Sequence, residues 1–301
     1  MIIRLGALGD TLMLMPSITL LRTSTDVILV GRSPGIDFLE PYVSRCFDFE
    51  REGWHQLFAA SPDMDQLPVL SGVDHAVAFL NDPEKIVHQN LRTYLQGSNV
   101  HIFPSAPSRE DKTHVALYLA QALHESGVNI NPLESLEAAN RAPMFEKKSL
   151  FGAPGHMIFH PGSGGKGKNH SPQFWIDLIR ALRKRFDDPA DSLQVLIGPA
   201  EKSLHSVFKR NLEQGEAEFI CSPNRDKLLS LLTVAGLFFG HDSGITHLAA
   251  MLGTPTIALF KSSSTEQWAP LGPMVKIIES RYENQELMKR IILEAEAMRK
   301  F

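Results

Sequence analysis

From residue 157 onward the chain alternates short apolar runs with longer amphipathic stretches, and no other feature restricts its possible folds as strongly. The runs MIFH, LQVLIG, AEFIC and LFFG are each followed by a segment with apolar residues at helical spacing, and TPTIALF and VKIIES come later. A strand followed by a helix, repeated several times, gives a parallel sheet with helices on both faces. The second half is therefore predicted to be a doubly wound α/β domain.

The first half begins in the same way, with a strand (IIRL), a loop (GALGD) and an apolar stretch (TLMLMPSITLLR) before the strand DVILVG. Pro16 should kink the apolar stretch, because proline has no N–H to donate within a helix. Later, DHAVAFL and NVHIF indicate strands, and THVALYLAQALHESG indicates a helix that ends at Gly127. A second Rossmann-like domain is therefore expected here.

Proline and glycine between residues 137 and 156 mark the best candidate for a linker. We therefore predict two domains, at 1–148 and 149–301, which face each other across a cleft. The final stretch, NQELMKRIILEAEAMRKF, has apolar residues at helical spacing and predicts a terminal helix. Packing of this helix back onto the first domain is one expected arrangement.

The composition, with 43% hydrophobic residues, is ordinary for a soluble protein. The two cysteines lie far apart and outside any metal-ligand spacing, which favours a reducing compartment. Since neither a signal segment nor an apolar run of membrane-spanning length is evident, a cytoplasmic location is expected. The net charge of −4, with its acidic excess in the first half, argues against a nucleic-acid-binding surface.

The segment HPGSGGKGKNHSP, residues 160–172, has the glycine and lysine spacing of a phosphate-binding P-loop up to Lys168. A P-loop next requires Ser or Thr, whose hydroxyl binds Mg²⁺, but Asn169 occupies that position. Ser171 followed by Pro172 predicts a helix start, because Ser caps helix N-termini and Pro fits the first helical position. The loop should therefore end at a helix N-terminus. An NTPase or kinase with a modified P-loop is the alternative.

A second segment, FGHDSGITHLAAML at residues 239–252, follows a predicted strand and enters a predicted helix. Backbone N–H groups at such a turn point toward an anion, so the turn is a candidate diphosphate site. His241, Asp242 and His247 are equally compatible with ordinary capping and core roles. A metal site formed by these three residues is disfavoured, because no matching ligand set occurs elsewhere.

Asp10 lies in GALGDT, between the first strand and its helix, where open parallel sheets place their ligand crevice. An N-cap role would also explain an aspartate at this position. The triplet Asp63-Met64-Asp65 matches a metal-binding DxD pattern, but a chain of this length is expected to contain such a triplet by chance.

Three blocks of the sequence occur in a characteristic order: RLGALGDTLMLMPSITLLR, then HPGSGGKGKNHSPQFWIDL, then GHDSGITHLAAMLGTPTIALF. Together they resemble glycosyltransferase family 9, which contains the ADP-heptose:lipopolysaccharide heptosyltransferases. The resemblance spans nearly the whole chain. It implies an α/β protein of GT-B architecture, with two Rossmann-like domains, the first for the acceptor and the second for the nucleotide-sugar donor.

The resemblance also implies which residues form the site. Asp10 matches the family's general base, and the glycine-rich loop matches the donor-phosphate loop. The residues that match donor-binding positions are Ser163, Gly164, Lys168, Glu201, Asp242, Ser243, Gly244 and His247. The resemblance implies no metal and no cofactor beyond the nucleotide-sugar substrate.

The implied function is inverting transfer of a sugar, heptose from ADP-heptose, to a lipopolysaccharide-core-like saccharide or glycolipid, with peripheral contact at the inner membrane face. The chain departs from the usual family pattern with KNHS in place of KNWP and LFKSSST in place of LFGPTDP, both on the donor side. On the acceptor side, AFLNDP stands where the family has a strand end with IDLQG. A nucleotide-sugar-binding protein without acceptor chemistry is the other open interpretation.

Overall fold

The computed structural model describes residues 1–146, 156–186, 192–213, 215–281 and 283–299. The chain forms two compact units, Met1–Ala138 and Ala139–Phe301. The predicted boundary between residues 148 and 149 lies outside the described residues, and the units divide earlier, within a helix. Met144 already belongs to the second unit, and its backbone N–H donates to the carbonyl of Met251 at 2.8 Å.

The first unit contains one parallel sheet. Its described strands are β1 (Ile2–Arg4), β2 (Ile28–Gly31), β3 (Arg45–Asp48), β4 (His75–Phe79) and β5 (Asn99–Phe103). Its described helices are α1 (Leu8–Leu12), α2 (Met15–Leu21), α3 (Gly35–Leu39), α4 (Ile86–Tyr94), α5 (Val115–Glu125) and α6 (Pro132–Arg141), the last of which leads into the second unit. The strands lie in the order β3-β2-β1-β4-β5, and each neighbouring pair is parallel. The central strand, β1, therefore leads directly into the GALGD loop.

The apolar stretch TLMLMPSITLLR forms parts of two consecutive helices instead of one kinked helix. Helix α1 ends at Leu12 and α2 begins at Met15. Pro16 lies in the first turn of α2, where its missing N–H removes no helical hydrogen bond. The break also leaves Met13 and Leu14 fully buried. Proline therefore starts a helix here.

The second unit contains a larger parallel sheet. Its described strands are β6 (Met157–His160), β7 (Leu193–Ile197), β8 (Glu218–Cys221), β9 (Leu237–His241), β10 (Thr256–Phe260) and β11 (Val275–Glu279). Its described helices are α7 (Pro172–Arg185), α8 (Lys202–Asn211), α9 (Arg225–Val234), α10 (Gly244–Met251), α11 (Thr265–Trp268) and α12 (Gln285–Met298). The strand order is β11-β10-β9-β6-β7-β8, with parallel neighbours throughout. The prediction of two parallel α/β units is confirmed.

The core of the second unit holds β6 and β9 side by side. The rings of Phe159 on β6 and Phe239 on β9 stack with centroids 4.9 Å apart, and Trp175 on α7 packs edge-on against Phe159. All three side chains are fully buried. Since truncating one such aromatic residue typically costs about 3–5 kcal/mol, this packing fixes the two strands firmly.

The terminal helix α12 packs within the second unit. Leu287, Ile291 and Ala295, spaced four residues apart, are buried in the same core as residues of α7 and β10. The apolar stripe of α12 is therefore covered by its own unit, and packing of this helix on the first unit stays a prediction. In the described parts of the chain, neither α12 nor any other helix has the length and apolarity needed to cross a membrane.

Candidate active site

The glycine-rich loop and the loop after β9 begin at one edge of the second sheet. Strands β6 and β9 pair in parallel, with His160, the last residue of β6, beside Gly240, the next-to-last residue of β9. Neighbouring parallel strands end at the same edge, so the loops that follow them are adjacent there. This carboxyl edge is where open α/β sheets bind their ligands.

Both loops lead into helix N-termini that serine side chains cap. Ser171 Oγ accepts from Phe174 N at 3.2 Å at the start of α7, which confirms the predicted helix start. Ser243 Oγ accepts from Thr246 N at 3.4 Å at the start of α10, and Gly244 is the first helical residue. The first turn of a helix has N–H groups without intrahelical partners and a partial positive charge. The start of α10 therefore suits an anion.

Lys168, Asp242 and His247 form a line of polar contacts beside α10. Lys168 Nζ lies 2.5 Å from Asp242 Oδ2, and Asp242 Oδ1 lies 3.4 Å from His247 Nε2. Asp242 and His247 are buried, whereas Lys168 is 38% exposed. Burial by itself raises the pKa of Asp242, but the hydrogen bonds from His247 and Lys168 outweigh it and hold that pKa well below its usual value. The ionised carboxylate thus orients a lysine that a ligand can still reach.

Ser163 and Gly164, both matched to donor-binding positions, have different surroundings within the glycine-rich loop. Ser163 is buried, and its hydroxyl lies 2.6 Å from Asn169 Oδ1 and 3.1 Å from the carbonyl of Gly165. The Ser163 side chain therefore forms hydrogen bonds within the loop. Gly164 is exposed, and no atom lies within 4 Å of the position that a Cβ would take. Its backbone is the more accessible of the two.

Glu201 follows β7 and is a buried carboxylate packed against glycines. A Cβ at Gly162 would lie 2.1 Å from Glu201 Cγ, and a Cβ at Gly198 would lie 2.5 Å from Glu201 Oε2. Burial raises the pKa of Glu201, with opposing hydrogen bonds from the backbone of Gly198 and Glu201. In the described part of the chain no basic side chain pairs with it. Glu201 is therefore available to accept hydrogen bonds from hydroxyl groups of a ligand.

Replacing Gly162 with Ala should displace Glu201 and destabilise the second unit. The new methyl group would overlap the Glu201 side chain, and overpacking of this kind typically destabilises by about 1–3 kcal/mol. Gly167→Ala is the matched control, because a Cβ there meets nothing within 4 Å. Thermal unfolding would compare the stability of the two variants. Equal behaviour of both would contradict the close packing of Gly162 and Glu201.

Two buried histidines lie beneath the loops. Burial lowers the pKa of His160 to about 4, and its Nδ1 lies 3.4 Å from Ser243 Oγ. Burial, with the neighbouring His170, also lowers the pKa of His241. Both rings are therefore neutral near pH 7 and supply no positive charge to an anion. Among the described residues, no group of three or more His, Cys, Asp or Glu side chains is arranged to hold a metal ion.

Asp10, the candidate base, lies in the first turn of α1 in the first unit. It is not the N-cap, which is Ala7; instead its Oδ2 accepts from the Ala7 backbone N–H at 3.1 Å. Its Oδ1 lies 3.5 Å from the guanidinium of Arg4, and the side chain is 35% exposed. The capping role considered for Asp10 is therefore present in a modified form, and it leaves the carboxylate accessible to solvent.

Arg4 is a residue that the sequence reasoning missed. It is 1% exposed, its Nε donates to the carbonyl of Asp10 at 3.2 Å, and its NH1 donates to the carbonyl of Ser105. Burial lowers the pKa of Arg4, and the charge of Asp10 opposes that shift. The available signal was a charged residue at the end of an apolar strand, IIRL. The Arg4 guanidinium thus contacts both the backbone carbonyl and the carboxylate of Asp10.

The DxD triplet has a local structural role. Asp63 caps a short 3-10 helix, Met64–Gln66, by accepting from Asp65 N at 3.2 Å, and its other oxygen accepts from the Gln66 amide at 2.9 Å. Both oxygens of the Asp63 carboxylate thus accept hydrogen bonds from residues of the same turn. The triplet thus behaves as a turn motif.

Two units of parallel α/β structure, with an anion-suited edge on the second sheet, define the GT-B class of fold. The model of glycosyltransferase family 9 (heptosyltransferase) matches residues 112–295. The chain belongs to this family. The matched region includes the whole glycine-rich loop and the segment from Asp242 to His247.

Known proteins similar to this chain agree with that assignment. A curated Haemophilus influenzae protein described as a putative glycosyltransferase is 27% identical over 193 residues, which cover 62% of this chain and 49% of that protein. The chain thus matches about half the length of that relative. Its fold is similar to E. coli heptosyltransferase WaaC with ADP (TM-score 0.70, 13% identity, 99% and 98% coverage). It is also similar to a family 9 glycosyl transferase from Veillonella parvula (TM-score 0.72, 13% identity, 99% and 96% coverage).

Proposed function

We propose that this chain transfers heptose from ADP-heptose to a hydroxyl group of a lipopolysaccharide-core-like saccharide, with inversion at the anomeric carbon. The observation that carries the proposal is the line of Lys168, Asp242 and His247 beside the N-terminus of α10. Family membership supports the reaction class. The similarity to a heptosyltransferase structure that contains ADP supports the choice of nucleotide.

The donor side of this chemistry requires stabilisation of a departing diphosphate. Lys168 supplies a fixed positive charge, and the first turn of α10 supplies oriented N–H groups, starting at Gly244. Such groups lower the barrier most when they are held in place before the charge develops. The contact with Asp242 holds Lys168 in this way. Glu201, buried without a cationic partner in the described residues, would accept hydrogen bonds from ribose hydroxyls.

The acceptor side requires a base for the attacking hydroxyl. Asp10 is the candidate, because its carboxylate is partly exposed at the carboxyl edge of the first sheet and is oriented by Ala7 and Arg4. As the hydroxyl attacks the anomeric carbon, its proton passes to Asp10 and the bond to the nucleoside diphosphate breaks. General-base catalysis of this kind contributes roughly 10² to 10⁴ in rate.

Replacing Lys168 with Ala should weaken donor binding by about 1–3 kcal/mol, the usual scale of a charge-assisted contact. Isothermal titration with ADP would measure this loss, and thermal unfolding would report any separate effect of leaving Asp242 without its lysine. Lys166→Ala, two positions away in the same loop, is the comparison. A loss of equal or greater size in Lys166→Ala would show that the wrong lysine has been assigned.

A panel of ADP-, UDP- and GDP-sugars, assayed for binding and for turnover with a heptose-free lipopolysaccharide core, tests the proposed function. The expected result is binding of ADP-heptose and formation of an inverted glycoside. Binding without turnover would indicate the nucleotide-sugar-binding protein instead. Mg²⁺-dependent ATP hydrolysis would indicate the modified P-loop enzyme, and preference for UDP or GDP would overturn the choice of donor.

A further inference from the structure

The glycine-rich loop is bonded to other segments at five consecutive residues, 167–171. Its most informative contacts come from the two residues that follow β10. Lys261 Nζ donates to the carbonyl of Asn169 at 3.0 Å, and Ser262 Oγ donates to the carbonyl of Gly167 at 3.2 Å. These two carbonyls lie immediately before and after Lys168 in the chain. Two adjacent side chains therefore hold the backbone on both sides of Lys168.

We propose that Lys261, with Ser262, is a positioning residue that keeps Lys168 in the orientation in which it meets the donor diphosphate. This inference rests on the proposed donor site and adds to it the residues that hold its loop. Lys261 contacts the loop backbone and acts on the ligand through Lys168. Neither Lys261 nor Ser262 belongs to the positions that the family resemblance assigns.

The remaining loop contacts make the same network continuous. Lys261 Nζ lies 3.9 Å from Glu283 Oε1, and Glu283 accepts from both the N–H and the hydroxyl of Ser171, at 2.7 and 2.6 Å. His170 donates its backbone N–H to His241 Nε2 at 3.0 Å, and its ring Nε2 lies 2.8 Å from the carbonyl of Ser280. With Lys168 on Asp242, each loop residue from 167 to 171 thus has a partner outside the loop.

Hydrogen bonds hold this side of the loop where apolar packing is incomplete. A pocket of about 410 Å³ lies against it, lined in part by Pro161, His170, Leu204, Lys261 and Glu283. The Lys261 side chain is 32% exposed and that of Glu283 is 30% exposed. Exposed ion pairs add little to global stability, so Lys261 is poorly explained as a residue that stabilises the fold. Its hydrogen bond to the carbonyl of Asn169 instead fixes the local backbone conformation of the loop.

The expected consequence is a change in the population of the binding-competent loop. When only a fraction of molecules has the competent loop, the apparent dissociation constant rises in inverse proportion to that fraction. Removing Lys261 also removes a positive charge, which would weaken anion binding on its own. Ser262→Ala removes the matching contact on the other side of Lys168 without changing the charge, and so separates the two effects.

The experiment compares the full chain with Lys261→Met, Lys261→Arg, Ser262→Ala and a control, Lys276→Met. Lys276 forms an ion pair with Glu294 at 2.8 Å, so its replacement removes the same charge away from the loop. Isothermal titration with ADP gives the affinity. Hydrogen exchange of peptides covering residues 165–171 gives the loop dynamics, and thermal unfolding gives the stability.

We expect Lys261→Met and Ser262→Ala each to weaken ADP binding about 3- to 10-fold and to accelerate hydrogen exchange in the loop, with melting temperatures close to the parent. Lys261→Arg should restore both values, and Lys276→Met should match the parent. Parent-like loop exchange in Lys261→Met and Ser262→Ala overturns the proposal, as does an equal loss of affinity in Lys276→Met. If the parent itself fails to bind ADP, the proposed function fails, while the exchange data still decide whether Lys261 holds the loop.

Discussion

Asp10→Asn should lower the turnover of sugar transfer by a factor on the order of 10² or more while leaving ADP binding nearly unchanged. The substitution keeps the size of the side chain and one oxygen that can accept from the Ala7 N–H, but it removes the group that takes a proton. Turnover with a verified donor and acceptor, beside ADP titration of the same preparation, measures both quantities.

The contact with Arg4 predicts a small additional loss of stability. Arg4 is buried, and in Asp10→Asn its guanidinium retains the carbonyls of Asp10 and Ser105 but loses the carboxylate. We expect a cost of about 1 kcal/mol, which lowers the melting temperature by roughly 2–4 °C in a domain of this size. Such a change is too small to explain a hundredfold loss of turnover in folded protein.

Asp63→Asn is the matched control for Asp10→Asn, because Asp63 also caps a turn in the first unit. It should retain turnover. Full activity in a folded Asp10→Asn protein would remove the general base from the mechanism and leave only the donor-binding half of the proposal. Loss of activity in Asp63→Asn would bring back the metal-binding interpretation of the DxD triplet.

Acidification should destabilise the second unit between about pH 6.5 and pH 4, before the ordinary carboxylates titrate. His160 has a folded-state pKa of about 4 because it is buried, whereas an unfolded histidine titrates near 6.5. As the pH falls through this window the unfolded chain binds a proton that the folded chain does not, so the free energy of unfolding decreases. His160 contributes a loss on the order of 3 kcal/mol, and the lowered pKa values of His170 and His241 act in the same direction.

Urea unfolding at intervals from pH 7.5 to pH 4 would measure this effect. His160→Gln should show a shallower decline than the parent, whereas His124→Gln, which removes an exposed histidine of the first unit, should follow the parent. The depressed pKa of Asp242 contributes stability that is lost only below about pH 4, outside this window. A free energy of unfolding that stays constant from pH 7 to pH 5 would contradict the neutral, buried state of these histidines.

Local signals in the sequence predicted the elements well, and contacts between distant segments were much harder to predict. The start of α7 at Ser171 and Pro172 follows from capping preferences that depend on neighbouring residues only. The pairing of Lys168 with Asp242 depends on β6 lying beside β9, and alternation of strands and helices does not specify strand order. The same holds for Lys261, whose partner Asn169 lies 92 residues away.

Two individual elements show the same contrast between local signals, which the sequence contains, and contacts with distant segments, which it does not specify. Pro16 was expected to kink a helix, but it lies in the first turn of a new one, where its missing N–H removes no helical hydrogen bond. The apolar stripe of α12 predicted a packed helix without naming its partner, and the second unit covers it. For the candidate site, family resemblance selected residues that spacing alone left open between capping, core and ligand roles.

The order β11-β10-β9-β6-β7-β8 has a consequence for how the second unit is assembled. Three strands that are consecutive in the chain form one half of the sheet, and the next three form the other half. Within the sheet, the two halves pair where β6 lies beside β9. Lys168 and Glu201 come from one half, and Asp242 and His247 come from the other. Neither half alone contains the site. The proposed donor, bound to residues from both halves, would therefore stabilise the folded second unit against separation of the two halves.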